Sequence, residues 1–142
     1  MGINKFWGVL EAPFFAGFIM VFELKKNNKE TGNRGEVIAS NYLEKKGYKI
    51  LERNFRTRFG EIDIVCLDAQ TLVFVEVKTK IGHDFGEPEE MVNRGKVSKV
   101  KRMGEVYLQN KSLDVSCRVD VVAIVLEKDG GVERIDHYQA VY

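Results

Sequence analysis

Apolar and polar positions follow two rhythms along the chain. From Thr31 to Lys46 the pairs Ile38/Tyr42 and Ala39/Leu43 recur four apart, which predicts a helix with Thr31 as cap and Gly47 as stop. Tyr48–Phe55 then alternates like a strand, with Tyr48, Ile50 and Glu52 on one side, and Arg56–Gly60 makes a basic turn. Glu61–Leu67 (EIDIVCL) and Thr71–Lys78 (TLVFVEVK) are β-branched and alternating, and the short link Asp68-Ala69-Gln70 predicts a hairpin. Lys80–Asn93 is a loop rich in Gly, Asp, Glu and Pro. Arg94–Asn110 predicts a second helix, capped by Asn93 and turning Val97, Val100, Tyr107 and Leu108 to the core. Arg118–Leu126 is almost wholly apolar and reads as an interior strand. Lys128–Gly131 turns, and Val132–Tyr138 returns as an edge strand. Helix, three strands, helix, two strands gives a mixed α/β (α+β) sheet flanked by helices, in a single domain.

The polar run Lys25–Gly32 (KKNNKETG) reads as a turn, dividing an apolar N-terminal extension (1–27) from the main domain (28–142). In the extension, Glu11 and Pro13 interrupt FWGVLEAPFFAGFIMVF and leave Phe14–Phe22 as nine apolar residues, where a bilayer needs about 20. Neither a membrane span nor a signal peptide is expected. The segment reads as a docking element, or as an extension upstream of a second start at Met20.

The 142 residues are 44% hydrophobic and 30% charged with a formal net charge of +1, the profile of a soluble domain. Binding nucleic acid by bulk charge is excluded. The charge is unevenly spread, however. Glu44–Arg58 holds six basic residues against two acidic, and Arg94–Arg102 holds five basic and none acidic. From Met103 onward there are four basic and seven acidic. The two cysteines, Cys66 and Cys117, lie in apolar runs without a C-x-x-C spacing or a Cys/His cluster, so both are expected to be buried free thiols in a reducing cytoplasm.

Charged residues placed in strands that are otherwise apolar carry the chemistry. Glu61 and Asp63 are two apart and share a face, with Ile62 and Ile64 on the other. On the next strand Phe74, Glu76 and Lys78 share one face and Val73, Val75 and Val77 the opposite one. In a hairpin Asp63 and Glu76 come close, with Lys78 one pleat further. Paired carboxylates on a partly buried surface repel, and a lysine or a hard cation such as Mg²⁺ between them relieves the repulsion. The fitting chemistry is metal-assisted phosphodiester hydrolysis.

Asp63 followed by Glu76-x-Lys78 resembles the PD-(D/E)xK signature of restriction-endonuclease-like nucleases, with Ile62 where the proline usually stands. Together with Arg34-Gly35-Glu36, Arg53-Asn54-Phe55-Arg56, Phe59-Gly60-Glu61-Ile62-Asp63, Val73–Thr79 and Arg118–Val122, it resembles the YraN family over roughly Lys29 to Val125. That family is similar in fold to archaeal Holliday-junction resolvases. The resemblance implies a restriction-endonuclease-like fold. It implies Asp63, Glu76 and Glu36 as ligands of Mg²⁺ or Mn²⁺, and Lys78 as the catalytic lysine. A metal-dependent nuclease on DNA, branched or structured forms included, follows as the expected activity.

Phosphate contacts are expected from Arg56, Arg58, Lys80, Arg94, Lys96, Lys99 and Lys101, without sequence reading, since no base-reading motif is present. No P-loop or G-x-G-x-x-G points to a nucleotide cofactor. Cutting both strands would fit a homodimer. The competing class is a non-catalytic nucleic-acid-binding or partner-docking module that keeps the fold. Each site residue also has a plainer role open to it: Glu36 as a solvated first-turn acid, Glu61 as an ion-pair partner of Arg56 or Arg58, Asp120 as a buried acid paired with Arg118, and His83, next to Asp84, as an exposed loop residue. His137 carries no argument.

Overall fold

The computed structural model describes residues 12–83 and 92–142, with side chains from Lys26 onward. Helix α1 (Ala12–Lys45) is followed by β1 (Lys49–Thr57), β2 (Gly60–Asp68) and β3 (Thr71–Ile81). Then come α2 (Arg94–Lys111), β4 (Cys117–Leu126) and β5 (Val132–Tyr138). Contacts divide the chain into Met1–Thr31 and Gly32–Tyr142. In the first unit the described residues, from Ala12, are helical; the second holds the sheet and α2. Among the described residues no helix is long and apolar enough to cross a membrane.

The expected turn at Lys25–Gly32 is helical instead. Lysine, asparagine and glutamate there are as compatible with a solvated helix as with a turn. Nothing between Phe14 and Lys45 is proline, and within Lys25–Gly32 the one glycine, Gly32, costs about 1 kcal/mol. Thr31 therefore lies inside α1 and does not cap it. The stop at Gly47 is as expected: it takes a φ of 93°, its N–H bonds Glu44 O at 2.9 Å, and the Tyr48 N–H bonds Leu43 O at 3.0 Å. This double closure satisfies the last carbonyls of the helix.

The five strands lie in the order β1-β2-β3-β4-β5. All neighbours are antiparallel except β3 and β4, which run parallel with α2 as the crossover. A parallel pair requires such a long connection, and α2 is fixed at its start by Asn93, whose side chain accepts from the Gly95 and Lys96 N–H groups. Alternate residues of β3 fill two cores. Val73 and Val75 pack with Ala39 and Leu43 of α1 and with Val122 and Ile124. Leu72 and Phe74 pack with Val97, Val100, Met103 and Tyr107 of α2. At Gly104 a Cβ would fall 2.5 Å from the Phe74 ring, so α2 meets the sheet at a glycine.

Asp120 is fully buried on β4. Its carboxylate accepts from Arg118 Nε at 3.0 Å and from the Ala140 N–H at 2.9 Å, and His137 Nε2 lies 2.8 Å away. Arg118 also donates to Asp68 (2.9 Å) and to the Tyr48 hydroxyl (3.0 Å). The ion pair with Arg118 proposed for Asp120 is therefore formed, and His137, which the sequence left without an argument, is its buried second partner. Burial acts to raise the Asp120 pKa, but the bonds from His137, Arg118 and Ala140 outweigh it and hold the carboxyl below its ordinary range. Of the cysteines, only Cys66 is buried, and burial pushes its thiol up to about 12. Cys117 is exposed, because it opens β4 at the sheet margin.

Candidate metal centre

The site begins where two strands part. β2 and β3 pair from Asp68↔Thr71 as far as Ile64↔Val75. Past that point Ile62 and Glu61 pair with β1, as Phe55↔Ile62 and Arg56↔Glu61, while Glu76 through Ile81 pair with β4. The sheet opens there into a wedge. Asp63 sits at its apex, and its carboxylate accepts the Val77 N–H at 2.7 Å in place of a ladder bond.

Asn54, between the paired Arg53 and Phe55, stands opposite Asp63 on the neighbouring strand. It adopts a left-handed φ of 54°, and the β1–β2 register passes from Arg53↔Ile64 to Phe55↔Ile62 around it. Asparagine tolerates that conformation better than most residues. The local twist breaks the simple alternation of β2. Ile64 packs in the α1 core, but Ile62 packs in the α2 core, so the expected common face for these two isoleucines is not realised. A bulge between Ile50 and Glu52 likewise takes Glu52 out of the face of Ile50.

Glu36 arrives from α1. Its helix reaches β3 through Gly35, where a Cβ would overlap the Thr79 side chain. The Asn54 side chain hydrogen-bonds Glu36. Oxygens of Glu36, Glu61 and Asp63 lie within 4.8 Å of one another. Burial raises the Glu36 pKa, Asn54 and Arg53 oppose the rise, and the charges of Glu61 and Glu76 add to it. Asp63 is pushed up to about 7, first by burial and then by the charge of Glu76, against the Val77 hydrogen bond. Three hard oxygen donors whose negative charges are mutually unfavourable fit a hard divalent cation, Mg²⁺ or Mn²⁺.

Glu76, the expected third ligand, lies near Asp63 but is held in an ion pair, 2.8 Å from Lys78 Nζ. The member brought into the acidic trio in its stead is Glu61, which also accepts from the exposed Arg56 at 2.9 Å. Thus Glu61 forms the expected ion pair and a corner of the cluster. Lys78 is half-buried. Burial depresses its pKa, but Glu76 and a hydrogen bond with the Lys96 amine outweigh that and raise it. Lys96 is correspondingly lowered, first by its bond to Lys78 and then by the charge of Lys78. The basic side chains of Lys78 and Lys96, side by side at the edge of a carboxylate cleft, form an anion-binding arrangement. Lys96 and Lys99 line an open pocket with Phe59, Glu61 and Glu76.

The remaining expected residues divide. Arg56, Arg58, Arg94, Lys96 and Lys99 are exposed. Lys101 places its ammonium 4.0 Å from the Tyr142 ring centre. Lys80 is buried in β3, so it is not the exposed phosphate contact expected of it: the strand continues to Ile81, where a loop was expected. His83 lies 2.6 Å from Glu133, and its neighbour Asp84 lies outside the described residues. Asn54 gave no signal in the sequence, because its role depends on a backbone angle. Glu61 did give one, its two-residue spacing from Asp63.

A family model described as "Uncharacterised protein family UPF0102" matches residues 35–124. The chain belongs to the UPF0102 (YraN) family. A UPF0102 protein of Syntrophus aciditrophicus is 45% identical over 112 residues, covering 78% of this chain and 87% of that protein. A UPF0102 protein of Syntrophomonas wolfei is 46% identical over 111 residues, covering 78% and 95%. Another, from Desulforamulus reducens, is 42% identical over 112 residues, covering 77% and 92%. The UPF0102 match begins at Gly35, the glycine that lets α1 approach β3, and takes in the whole acidic trio, Glu76, Lys78 and Lys96.

Proposed function

We propose that this UPF0102 protein is a metal-dependent nuclease that hydrolyses phosphodiester bonds of DNA. The observation that carries the reading is the convergence of Glu36, Glu61 and Asp63 at a break in the sheet, directly beside the Glu76–Lys78 pair. Glu36, Glu61 and Asp63 would hold Mg²⁺ or Mn²⁺, with Glu76 at its flank. When bound, the metal supplies Lewis-acid polarisation of the phosphate and a more acidic water.

The chain's own residues do the rest. Glu76 fixes the Lys78 ammonium so that it faces the cleft, where it orients a nucleophilic water and stabilises negative charge developing on the phosphate. The Val77 N–H holds the Asp63 carboxylate in one orientation. Lys96 and Lys99 from α2, with Arg56 and Arg58 from the β1–β2 hairpin, contact phosphates on either side of the cleft without reading bases. The restriction-endonuclease-like arrangement of a mixed sheet between helices, with Asp63 and Glu76-x-Lys78 on adjacent strands, supports the same reading.

The test is cleavage of a panel of duplex, single-stranded, flap and four-way DNA with Mn²⁺. Wild type is expected to cut at least one substrate, and Glu76→Ala and Lys78→Ala to abolish cutting while circular dichroism stays unchanged. Activity surviving in both variants would sink the assignment. Salt-dependent DNA binding without cleavage under any metal would replace it with a binding module.

A further inference from the structure

We infer that Phe59, at the tip of the β1–β2 hairpin, is a stacking platform for an unpaired nucleobase. The favoured substrate would then carry an unstacked base next to the phosphate in the cleft: a single strand, a flap or an open branch. The inference rests on the nuclease reading for the class of ligand and adds which part of it is recognised.

Phe59 is 46% exposed. Among the described residues the other large exposed hydrophobic side chains are aliphatic, except Tyr142, which lies beside Ser98, Lys101 and Glu105 rather than with Glu61 and Glu76. A water-exposed phenylalanine gains nothing by its position and forfeits hydrophobic stabilisation. A hairpin tip is most simply made from small polar residues.

The backbone that carries the ring is hydrogen-bonded within the hairpin tip. The Phe59 N–H donates to Thr57 Oγ1 at 3.0 Å, and that hydroxyl donates to Gly60 O at 3.3 Å. Gly60, at a φ of 144°, lies against α2, where a Cβ would stand 3.2 Å from Met103 Sδ. The Arg58 guanidinium sits 4.7 Å from the ring centre. With the exposed Arg56 it surrounds the aromatic with positive charge, the combination that single-strand binders use to stack bases while holding the backbone.

Position ties the ring to the cleft. Phe59 lines the same pocket as Glu61, Glu76 and Lys96. Only Gly60 separates Phe59 from Glu61, so their Cα atoms lie at most about 7 Å apart. A base stacked on the ring therefore belongs to the nucleotide whose phosphate reaches the cleft, or to its neighbour. A base inside a duplex is already stacked on both sides and has no free face to offer, whereas an unpaired one stacks at little cost.

The experiment uses a single-stranded DNA oligonucleotide carrying 2-aminopurine at successive positions, an RNA of the same sequence and the matching DNA duplex. Wild type, Phe59→Ala and Phe59→Trp are titrated against each. Wild type is expected to bind the single strand more tightly than the duplex and to change the fluorescence of one or two adjacent positions. Phe59→Ala should lose that change and weaken single-strand binding about fivefold or more while leaving duplex binding and the melting temperature unaltered. Phe59→Trp should retain both. A response with DNA alone would assign the ligand as DNA, and one with both strands as any unpaired base. Equal weakening of duplex and single strand, or no weakening, would overturn the inference. If wild type still cleaves with Mn²⁺ in that case, the nuclease reading stands and only the stacking role falls. If wild type binds none of the three probes, both fall.

Discussion

The Asp63 carboxylate accepts the backbone N–H of Val77 at 2.7 Å, across the point where β2 and β3 stop pairing. One side chain thereby closes the ladder and presents a carboxylate oxygen to Glu36 and Glu61. Asp63→Asn keeps an oxygen for Val77 but removes one negative charge from a crowded cluster. In EDTA near neutral pH this variant should melt at or above the wild-type temperature. Mn²⁺ should stabilise the wild type, by about 2.7 kcal/mol at a hundredfold excess over Kd, and so raise its melting temperature, while leaving Asp63→Asn nearly unmoved. Thermal unfolding with and without metal reads both effects.

Gly35 is the point at which α1 meets β3. Gly35→Ala places a methyl group onto Thr79. The expected loss is about 1–3 kcal/mol, as for other overpacked cores, together with weaker Mn²⁺ binding because Glu36 is carried away with its helix. Thr79→Ala in the same chain should recover part of both losses. A double-mutant cycle by chemical denaturation measures the coupling.

Asp120 supplies a pH test away from the acidic cluster. Its folded pKa lies below its unfolded value, so its stabilisation is complete above the unfolded value of about 4 and is lost as pH falls through the folded value. Wild-type stability should therefore drop in acid. Asp120→Ala should be about 3–5 kcal/mol less stable at neutral pH, because Arg118 and His137 lose their buried partner, and its stability should fall less steeply below pH 4. Urea unfolding between pH 3 and 7 decides this. Parallel slopes would reassign the acid sensitivity to other carboxylates.

Lys96 is exposed on the first turn of α2 and adjoins Lys78. As a phosphate contact, Lys96→Ala should reduce the magnitude of the slope of log K against log salt by about 1 and leave the melting temperature unchanged. Lys78→Ala should instead remove turnover. Fluorescence anisotropy over a salt series, together with single-turnover cleavage, separates the two lysines.

Much of the fold is legible in local patterns. The alternation in TLVFVEVK gives β3 and its two faces, and the order of helices and strands follows from where each periodicity begins and ends. Glu76 and Lys78 are placed correctly relative to each other because a strand's two-residue period fixes them. The acid beside them is harder to read. Ile62 and Ile64 have the spacing of a shared face, yet they pack into different cores at the point where the β2–β3 ladder ends. Lys25–Gly32 fails for the opposite reason: polar residues mark solvent exposure, and a helix exposed to water satisfies that as well as a turn does.

By itself, the sequence determined the order of most elements, the two basic stretches and the carboxylates placed in apolar strands, since each is set by side-chain type and local period. Tertiary structure alone decided that the β2–β3 ladder ends at Ile64↔Val75, that Glu61 rather than Glu76 completes the trio, and that Lys96 stands against Lys78. These relationships join residues from α1, β2, β3 and α2. They depend on contacts between elements, such as the close approach of α1 to β3 at the bare backbone of Gly35, whose effect is felt on a neighbouring element and leaves no periodic trace in the chain.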